Sequence, residues 1–169
     1  MPNTNIVAVD KNRPERDKIK RAAEIIRKGG LVAFPTETVY GLGGNALDEN
    51  AAKKIYAAKG RPQDNPLIVH ISSHLQLDQL VKEIPVRARI LMDKFWPGPL
   101  TIIFYKKDIV PYGTTGGLDT VAIRMPAHPV ALELISEAKV PIAAPSANIS
   151  GRPSPVCAKD VAEDLSGRI

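Results

Sequence analysis

The spacing of apolar residues alternates between a helical pattern and a strand pattern along the chain. A first helix is predicted between Pro14, which a first helical turn tolerates, and Gly29, where the pattern stops. Its inward positions recur at helical spacing: Ile19, Ala22, Ala23, Ile25 and Ile26. A short apolar strand follows at 31–34 and ends at Pro35. The chain therefore opens with a helix followed by a strand.

The same alternation predicts more elements downstream, and a glycine-rich loop at 106–119. Helices are expected at 51–58, capped by Asp48 or Asn50, at 85–96, at 129–138 with Val130, Leu134 and Ile135 inward, and from an N-cap at Ser154 through Leu165. Strands are expected at 67–71, 100–105, 120–125 and 141–144. This order indicates an α/β fold, a twisted open sheet of mixed strand directions with helices packed on it.

Composition sets the size and the broad class of the protein. With 169 residues and 44% apolar content, the chain can bury one sizeable core, so 1–169 is predicted to be a single domain. A single cysteine, Cys157, excludes an internal disulfide framework. His70 and His74 are interpreted as packed or hydrogen-bonding side chains, so no metal site is expected. No apolar run approaches the ~20 residues that a membrane span requires, and the cytoplasm is the predicted compartment.

The net charge of +5 leaves two interpretations open, an anionic partner or a basic soluble surface. Lys59 and Arg61 follow the second helix, where they can serve the helix dipole or bind phosphates. Arg124 interrupts an apolar strand, and an unpaired guanidinium there would be costly. We therefore expect Arg124 to have an anionic partner, either a carboxylate of the protein or one of a ligand.

Polar loops adjoin the predicted strands at 35–41, 62–66, 113–119 and 146–154. If these loops converge on one face of the sheet, their hydroxyl and amide groups and the three basic residues would form a concave site for an anionic nucleotide. Neither the P-loop nor the complete dinucleotide-binding fingerprint is present, and 41–44 is only a partial match. No triad of serine, histidine and aspartate can be assigned, so covalent catalysis is not expected.

Six segments occur in the order of the motifs of one known family: FPTETVYGL at 34–42, KGRP at 59–62, NPL at 65–67, WPGPLT at 96–101, RMP at 124–126 and PSANISG at 145–151. On these motifs, which extend over about 22–155, the chain resembles the YrdC-like threonylcarbamoyl-AMP synthase family. The combination of the Lys-x-Arg and Ser-x-Asn elements makes the resemblance specific.

The resemblance implies synthesis of L-threonylcarbamoyl-AMP from L-threonine, bicarbonate or carbon dioxide, and ATP, as a step in modifying tRNA. It assigns L-threonine to Thr38, His70, Arg124 and Ala144. It assigns ATP to Lys59, Arg61, Asn65, Thr120, Ser146, Asn148 and Ser154, with Lys59 and Arg61 as the catalytic pair that stabilises the departing pyrophosphate. Mg²⁺ is expected with the phosphates, and tRNA or tRNA-modification proteins are the implied partners.

In this family the chain normally continues past the position of Ile169 into strands that add a small hydroxyl residue and an arginine to the site. The domain is therefore expected to lack its C-terminal strands, and a monomer is predicted. Two other functions remain open. One is an RNA-binding module without ATP turnover, and the other is a carbamoyl-transfer domain like that of hydrogenase-maturation proteins, which zinc-finger-like cysteine segments would normally precede.

Overall fold

The computed structural model describes residues 3–169 as one α/β unit. Its helices are α1 (Arg16–Arg27), α2 (Glu49–Lys59), α3 (His74–Leu80), α4 (Val86–Phe95), α5 (Tyr112–Thr115), α6 (Pro129–Ala138) and α7 (Ala158–Leu165). Its strands are β1 (Val32–Phe34), β2 (Gly41–Asn45), β3 (Ile68–His70), β4 (Thr101–Tyr105), β5 (Thr120–Arg124) and β6 (Ile142–Ala143). Within these residues, no helix is long and apolar enough to cross a membrane.

The six strands form one mixed sheet in the order β1-β2-β6-β3-β5-β4. Strands β3 and β5 are parallel, and the other neighbouring pairs are antiparallel. The predicted fold class, an α/β domain with a mixed open sheet, is confirmed.

The two faces of this sheet are covered to different extents. One face packs against the main apolar core, to which α2, α3, α4 and α7 contribute Ile55, Leu77, Met92 and Leu165. On the opposite face, a second cluster joins α1 and α6 to Phe34 of β1 and Ile142 of β6.

The rest of this second face, over β3, β5 and β4, is left partly uncovered. Side chains alternate between the faces of a strand, so those pointing to this side can be identified. Except for the buried His70 and Arg124, they are half-buried or exposed. Five of them are called the open face below: Ile68, Thr120, Ala122, Ile103 and Tyr105. The sheet thus offers an accessible floor beside its parallel strand pair.

Three elements were not predicted from the sequence. Strand β2 has the sequence GLGGN, in which the glycines remove the apolar alternation that marks a strand. Helix α3 has only seven residues after the Ser73 N-cap, and α5 has four within the predicted glycine-rich loop. Such short segments carry too few apolar positions to establish a helical period.

One predicted boundary and one predicted core position need correction. Helix α7 begins at Ala158 with Cys157 as its N-cap, not at Ser154, because the Pro155 carbonyl accepts a hydrogen bond from the Tyr40 N–H, which holds this segment outside the helix. Ile25 is 47% exposed, because it lies about a third of a turn away from the buried stripe of α1.

The Asp48 cap of α2 is confirmed, since its side chain accepts a hydrogen bond from the Asn50 N–H at 2.8 Å. The inward positions predicted for α6, Val130, Leu134 and Ile135, are likewise buried. Both predictions depended on a local sequence signal, which was a capping residue for α2 and a helical period of apolar residues for α6.

Gly43 allows β2 to lie against the ring of Phe34. A Cβ atom at this position would be 2.7 Å from both Phe34 Cε1 and Ile142 Cγ2. We expect Gly43→Ala to lower the free energy of unfolding by about 1–3 kcal/mol, because the buried ring cannot move without strain. Thermal unfolding beside an exposed control, Ser136→Ala, measures this effect. Equal stability of the two variants would show that the Phe34 ring moves aside at no cost.

Candidate functional site

Arg124 is the last residue of β5, next to His70 of the parallel strand β3, and it is only 9% exposed. Its Nη2 donates to Glu37 Oε1 at 2.7 Å and to Thr38 Oγ1 at 3.1 Å, and its Nε donates to the Gly98 carbonyl at 3.3 Å. The sequence left a protein carboxylate and a ligand carboxylate open as its partner. In this structure the partner is the carboxylate of Glu37.

Glu37 was not among the predicted site residues. Burial raises the pKa of its carboxyl, but the hydrogen bond and the charge of Arg124 outweigh this effect, and the net pKa lies below the ordinary value. The carboxylate is therefore ionised at neutral pH. A signal for it was present, since a guanidinium in an apolar strand requires a counter-ion and Glu37 lies in the 34–42 motif.

His70 is buried at the end of β3, with 3% exposure, and its ring packs edge-on against Phe34 at a centroid distance of 6.1 Å. Burial, and then the positive charge of Arg124, lower the pKa of His70 to about 4, so the imidazole is neutral at pH 7. Its Nδ1 is buried and has no hydrogen-bond partner within residues 3–169.

The structure brings the four residues assigned to L-threonine onto, or against, three adjacent strands. The Ala144 N–H donates to the Ile68 carbonyl at 2.9 Å, so Ala144 lies beside β3 at the end of β6. His70 and Arg124 are register partners on β3 and β5, and Thr38 contacts Arg124 from the 35–40 loop. These residues border the open face.

Lys59, the last residue of α2, is only 1% exposed and holds the 146–152 loop from one side. Its Nζ donates to the carbonyl oxygens of Ser146 and Asn148, each at 2.5 Å. Its own carbonyl accepts a hydrogen bond from the Ser150 N–H at 2.9 Å. The side chain of Lys59 is therefore engaged with the backbone of this loop.

Asp164 of α7 holds the same loop from the other side. Its Oδ2 accepts a hydrogen bond from the Ile149 N–H at 2.9 Å, and its Oδ1 pairs with Arg152 Nη1 at 2.5 Å. The Ile149 hydrogen bond is the main cause of the lowered pKa of Asp164, so this carboxylate stays ionised. Asp164 is not predicted from the sequence, because no local pattern indicates a contact that joins residues on two separate segments.

Asn148 has a side-chain amide that is only half satisfied. Its Nδ2 donates to the carbonyls of Ile149 and Arg152 at 2.8 and 2.9 Å, whereas its Oδ1 is buried without a partner. In the part of the chain that the structure describes, Asn148 Oδ1 and His70 Nδ1 are the two buried side-chain polar atoms that lack a hydrogen bond. Leaving such an atom unpaired costs about 1–3 kcal/mol, which a hydrogen bond from a bound ligand or water would recover.

The remaining residues assigned to ATP are spread around this loop and the open face. Arg61 donates to the carbonyls of Asn65 and Pro66, both at 3.3 Å, so it folds back on the 62–66 loop and makes no hydrogen bond with the 146–152 loop. Thr120 lies on the open face at the start of β5, and Ser154 is exposed. The hydroxyls of Thr120, Ser146 and Ser154 make no hydrogen bond within residues 3–169.

The four polar loops meet in pairs. The Leu42 N–H donates to the Pro145 carbonyl, and the Ala147 N–H donates to the Tyr40 carbonyl, which joins the 35–41 loop to the 146–154 loop. The Leu67 N–H donates to the Thr114 carbonyl, which joins the end of the 62–66 loop to α5. Backbone hydrogen bonds thus join the four loops in two pairs.

Burial also sets the protonation of Lys59. It lowers the pKa of the ammonium from 10.5 to about 8, assisted by the nearby charge of Arg61 and opposed by that of Asp164. Because the folded pKa lies below the unfolded one, the unfolded chain binds more protons between pH 8 and pH 10.5, and the contribution of Lys59 to stability rises with pH there.

We therefore expect the chain to gain about 1–3 kcal/mol of unfolding free energy relative to Lys59→Met between pH 8 and pH 10.5. Urea unfolding of both proteins at several pH values in that window measures the difference. A constant difference would mean that the ammonium is not desolvated in the folded chain.

Within residues 3–169 there is no group of three histidine, cysteine, aspartate or glutamate side chains that could hold a metal ion. His74, whose spacing from His70 resembles that of a metal pair, packs edge-on against Trp96 at a centroid distance of 6.5 Å.

Known proteins resemble this chain in both sequence and structure. The Sua5/YciO/YrdC family model, described as telomere recombination, matches residues 24–169. The threonylcarbamoyl-AMP synthase of Pyrococcus abyssi is 64% identical over 159 residues, 94% of this chain and 47% of that protein. The enzyme of the same name from Bacillus subtilis is 59% identical over 153 residues, 90% of this chain and 44% of that protein.

One solved structure extends the comparison to three dimensions. The crystal structure of Pyrococcus abyssi Sua5 complexed with L-threonine matches with a TM-score of 0.95 and 62% identity, covering 98% of this chain and 48% of that one. The chain thus spans about half the length of the curated relatives that it matches.

Proposed function

The chain belongs to the Sua5/YciO/YrdC family, and from that premise we propose that it forms L-threonylcarbamoyl-AMP from L-threonine, bicarbonate or carbon dioxide, and ATP, releasing pyrophosphate. The observation that carries the proposal is the position of the two buried polar atoms without partners. His70 Nδ1 falls in the residue set assigned to L-threonine, and Asn148 Oδ1 falls in the set assigned to ATP. The L-threonine complex of the 62% identical Sua5 gives this position further support.

The proposed amino-acid subsite is formed by Thr38, His70, Arg124 and Ala144. Arg124 would bind the carboxylate of L-threonine, since a guanidinium makes strong charge-assisted hydrogen bonds to carboxylates. His70 stays neutral at pH 7, so it can exchange a hydrogen bond with a hydroxyl or an amine without adding charge. These roles are positional, and none requires a protein nucleophile.

The proposed nucleotide subsite is formed by Arg61, Asn65, Thr120, Ser154 and the 146–152 loop, which carries Ser146 and Asn148. Arg61 would turn towards the phosphates and stabilise the charge of the departing pyrophosphate. Lys59 would contribute by holding the loop, because its Nζ already donates to two loop carbonyls.

The chemistry consists of two bond-forming steps between the substrates. The amine of L-threonine adds to carbon dioxide and loses a proton, which gives a carbamate. A carbamate oxygen then attacks the α-phosphorus of ATP, and the bond to pyrophosphate breaks. The carbamate and ATP both carry negative charge, so placing them beside fixed positive groups would supply most of the catalysis.

Magnesium enters this proposal as part of the substrate, MgATP, with the phosphates as its ligands. We further propose that the chain acts in the cytoplasm as a monomer and that its product serves the modification of adenosine in tRNA. Transfer RNA or tRNA-modification proteins are the proposed partners.

The test is an incorporation assay with labelled bicarbonate, L-threonine, ATP and magnesium, in which the nucleotides are separated and quantified. We expect a labelled threonylcarbamoyl-AMP and an equal amount of pyrophosphate, both absent when L-threonine is omitted. If no product forms and RNA binding weakens steeply with salt, an RNA-binding module without ATP turnover replaces the synthase.

A further inference from the structure

The Glu37–Arg124 pair makes the amino-acid subsite electrically neutral before any ligand arrives. Glu37 Oε1 lies 2.7 Å from Arg124 Nη2, and the two side chains are 23% and 11% exposed, so Glu37 is on the solvent side of the pair. An ionised carboxylate in this position offsets the charge of the guanidinium for any group that approaches from solvent.

Arg124 still has a donor to offer. Its Nε and Nη2 are hydrogen-bonded to Gly98, Glu37 and Thr38, whereas Nη1 makes no hydrogen bond within residues 3–169. Nη1 is also not one of the buried atoms that lack a partner, so it reaches solvent-accessible space. A ligand carboxylate can bind there without breaking the Glu37 pair, but it must then lie near a second negative charge.

The other groups in contact with Arg124 or next to it do not carry a positive charge that could compensate a bound carboxylate. His70 is neutral at pH 7, and Thr38 and Gly98 contribute only neutral oxygen atoms to the contacts of Arg124. The protein thus supplies no second cation to offset a bound carboxylate within this set of contacts. A ligand that carries its own positive charge can therefore compensate the second negative charge beside its carboxylate.

We propose that Glu37 is a specificity-determining residue that makes this subsite select zwitterionic α-amino acids over simple carboxylates. The ligand carboxylate meets Arg124, while the ammonium group on the adjacent carbon meets the carboxylate of Glu37. This inference rests on the proposed function and deepens it. It assigns the recognition of the amino group to a residue outside the set of Thr38, His70, Arg124 and Ala144.

The experiment is calorimetric titration with L-threonine and with its analogue 2,3-dihydroxybutanoate, in which a hydroxyl replaces the amino group. We expect the chain to bind L-threonine at least tenfold more tightly than the analogue. In Glu37→Gln this ratio is expected to fall at least tenfold, with the analogue gaining affinity because the subsite has become cationic. Glu37→Asp, which keeps the charge, should retain much of the preference.

A matched control is Glu133→Gln, an exposed glutamate on α6, which should leave the ratio unchanged. An unchanged ratio in a folded Glu37→Gln variant would overturn the inference and leave the proposed function intact. If the chain instead binds glycine or serine better than L-threonine, with the same dependence on Glu37, the inference stands and the assigned substrate is wrong. If no amino acid binds to the unsubstituted chain, both proposals are wrong.

Discussion

Replacing Arg124 by methionine is expected to lower the affinity of the chain for L-threonine by roughly 30-fold to 3,000-fold. The substitution removes the donor for the ligand carboxylate, and it also leaves Glu37 without the guanidinium that now lies 2.7 Å away. A bound carboxylate would then meet an uncompensated negative charge. Calorimetric titration of both proteins with L-threonine measures the change.

Folding and binding can be separated for this variant. The unpaired Glu37 carboxylate is expected to lower the free energy of unfolding by about 1–3 kcal/mol, and a second substitution, Glu37→Gln, should recover most of that loss. L-threonine binding should stay weak in the double variant, since the guanidinium is still missing. An exposed arginine of α4 provides the control, Arg89→Met. Normal L-threonine affinity in Arg124→Met would remove Arg124 from the proposed site.

The parts of the fold that the sequence predicts well are those with a local pattern. Helix α6 has buried residues at helical spacing, and β4 is a run of apolar and aromatic residues, so each carries its own signal. Strand β2 carries none, because its glycines are explained by a contact between separate strands, the close approach of the Phe34 ring to Gly43. Patterns of spacing do not record contacts of this kind.

The candidate site shows the same division. A charged residue in an apolar strand, Arg124, indicates that a counter-ion must exist, but the sequence does not identify Glu37 as that counter-ion. Likewise, basic residues at the end of α2 were recognised, but the direction of the Lys59 side chain was not. Its orientation towards the Ser146 and Asn148 carbonyls depends on how the loop after β6 packs against α2. Asp164 gave no signal, since only the folded chain brings α7 to the loop.

The arrangement around Lys59 leads to the other large expected effect. In Lys59→Met the carbonyls of Ser146 and Asn148 lose their hydrogen bonds from Nζ. The 146–152 loop then has no side chain of α2 to hold it, although its contacts with Asp164 and its backbone hydrogen bonds remain. We expect the rate of product formation to fall on the order of 100-fold, the size of effect that a small misplacement of reacting groups produces. Radiolabelled bicarbonate incorporation measures the rate.

A matched control lies on the same helix. Lys54 of α2 also donates to a backbone carbonyl, that of Gly29 at 2.6 Å, and it makes no hydrogen bond with the 146–152 loop within residues 3–169, so Lys54→Met should keep its rate. Binding of ATP and of adenosine then separates two roles of Lys59. If Lys59 holds the loop, the affinities for ATP and for adenosine should fall by a similar factor in Lys59→Met. Asp164→Ala should cause part of the same loss of affinity. If only the affinity for ATP falls, Lys59 contacts the phosphates directly, and the proposal that it supports the loop is wrong.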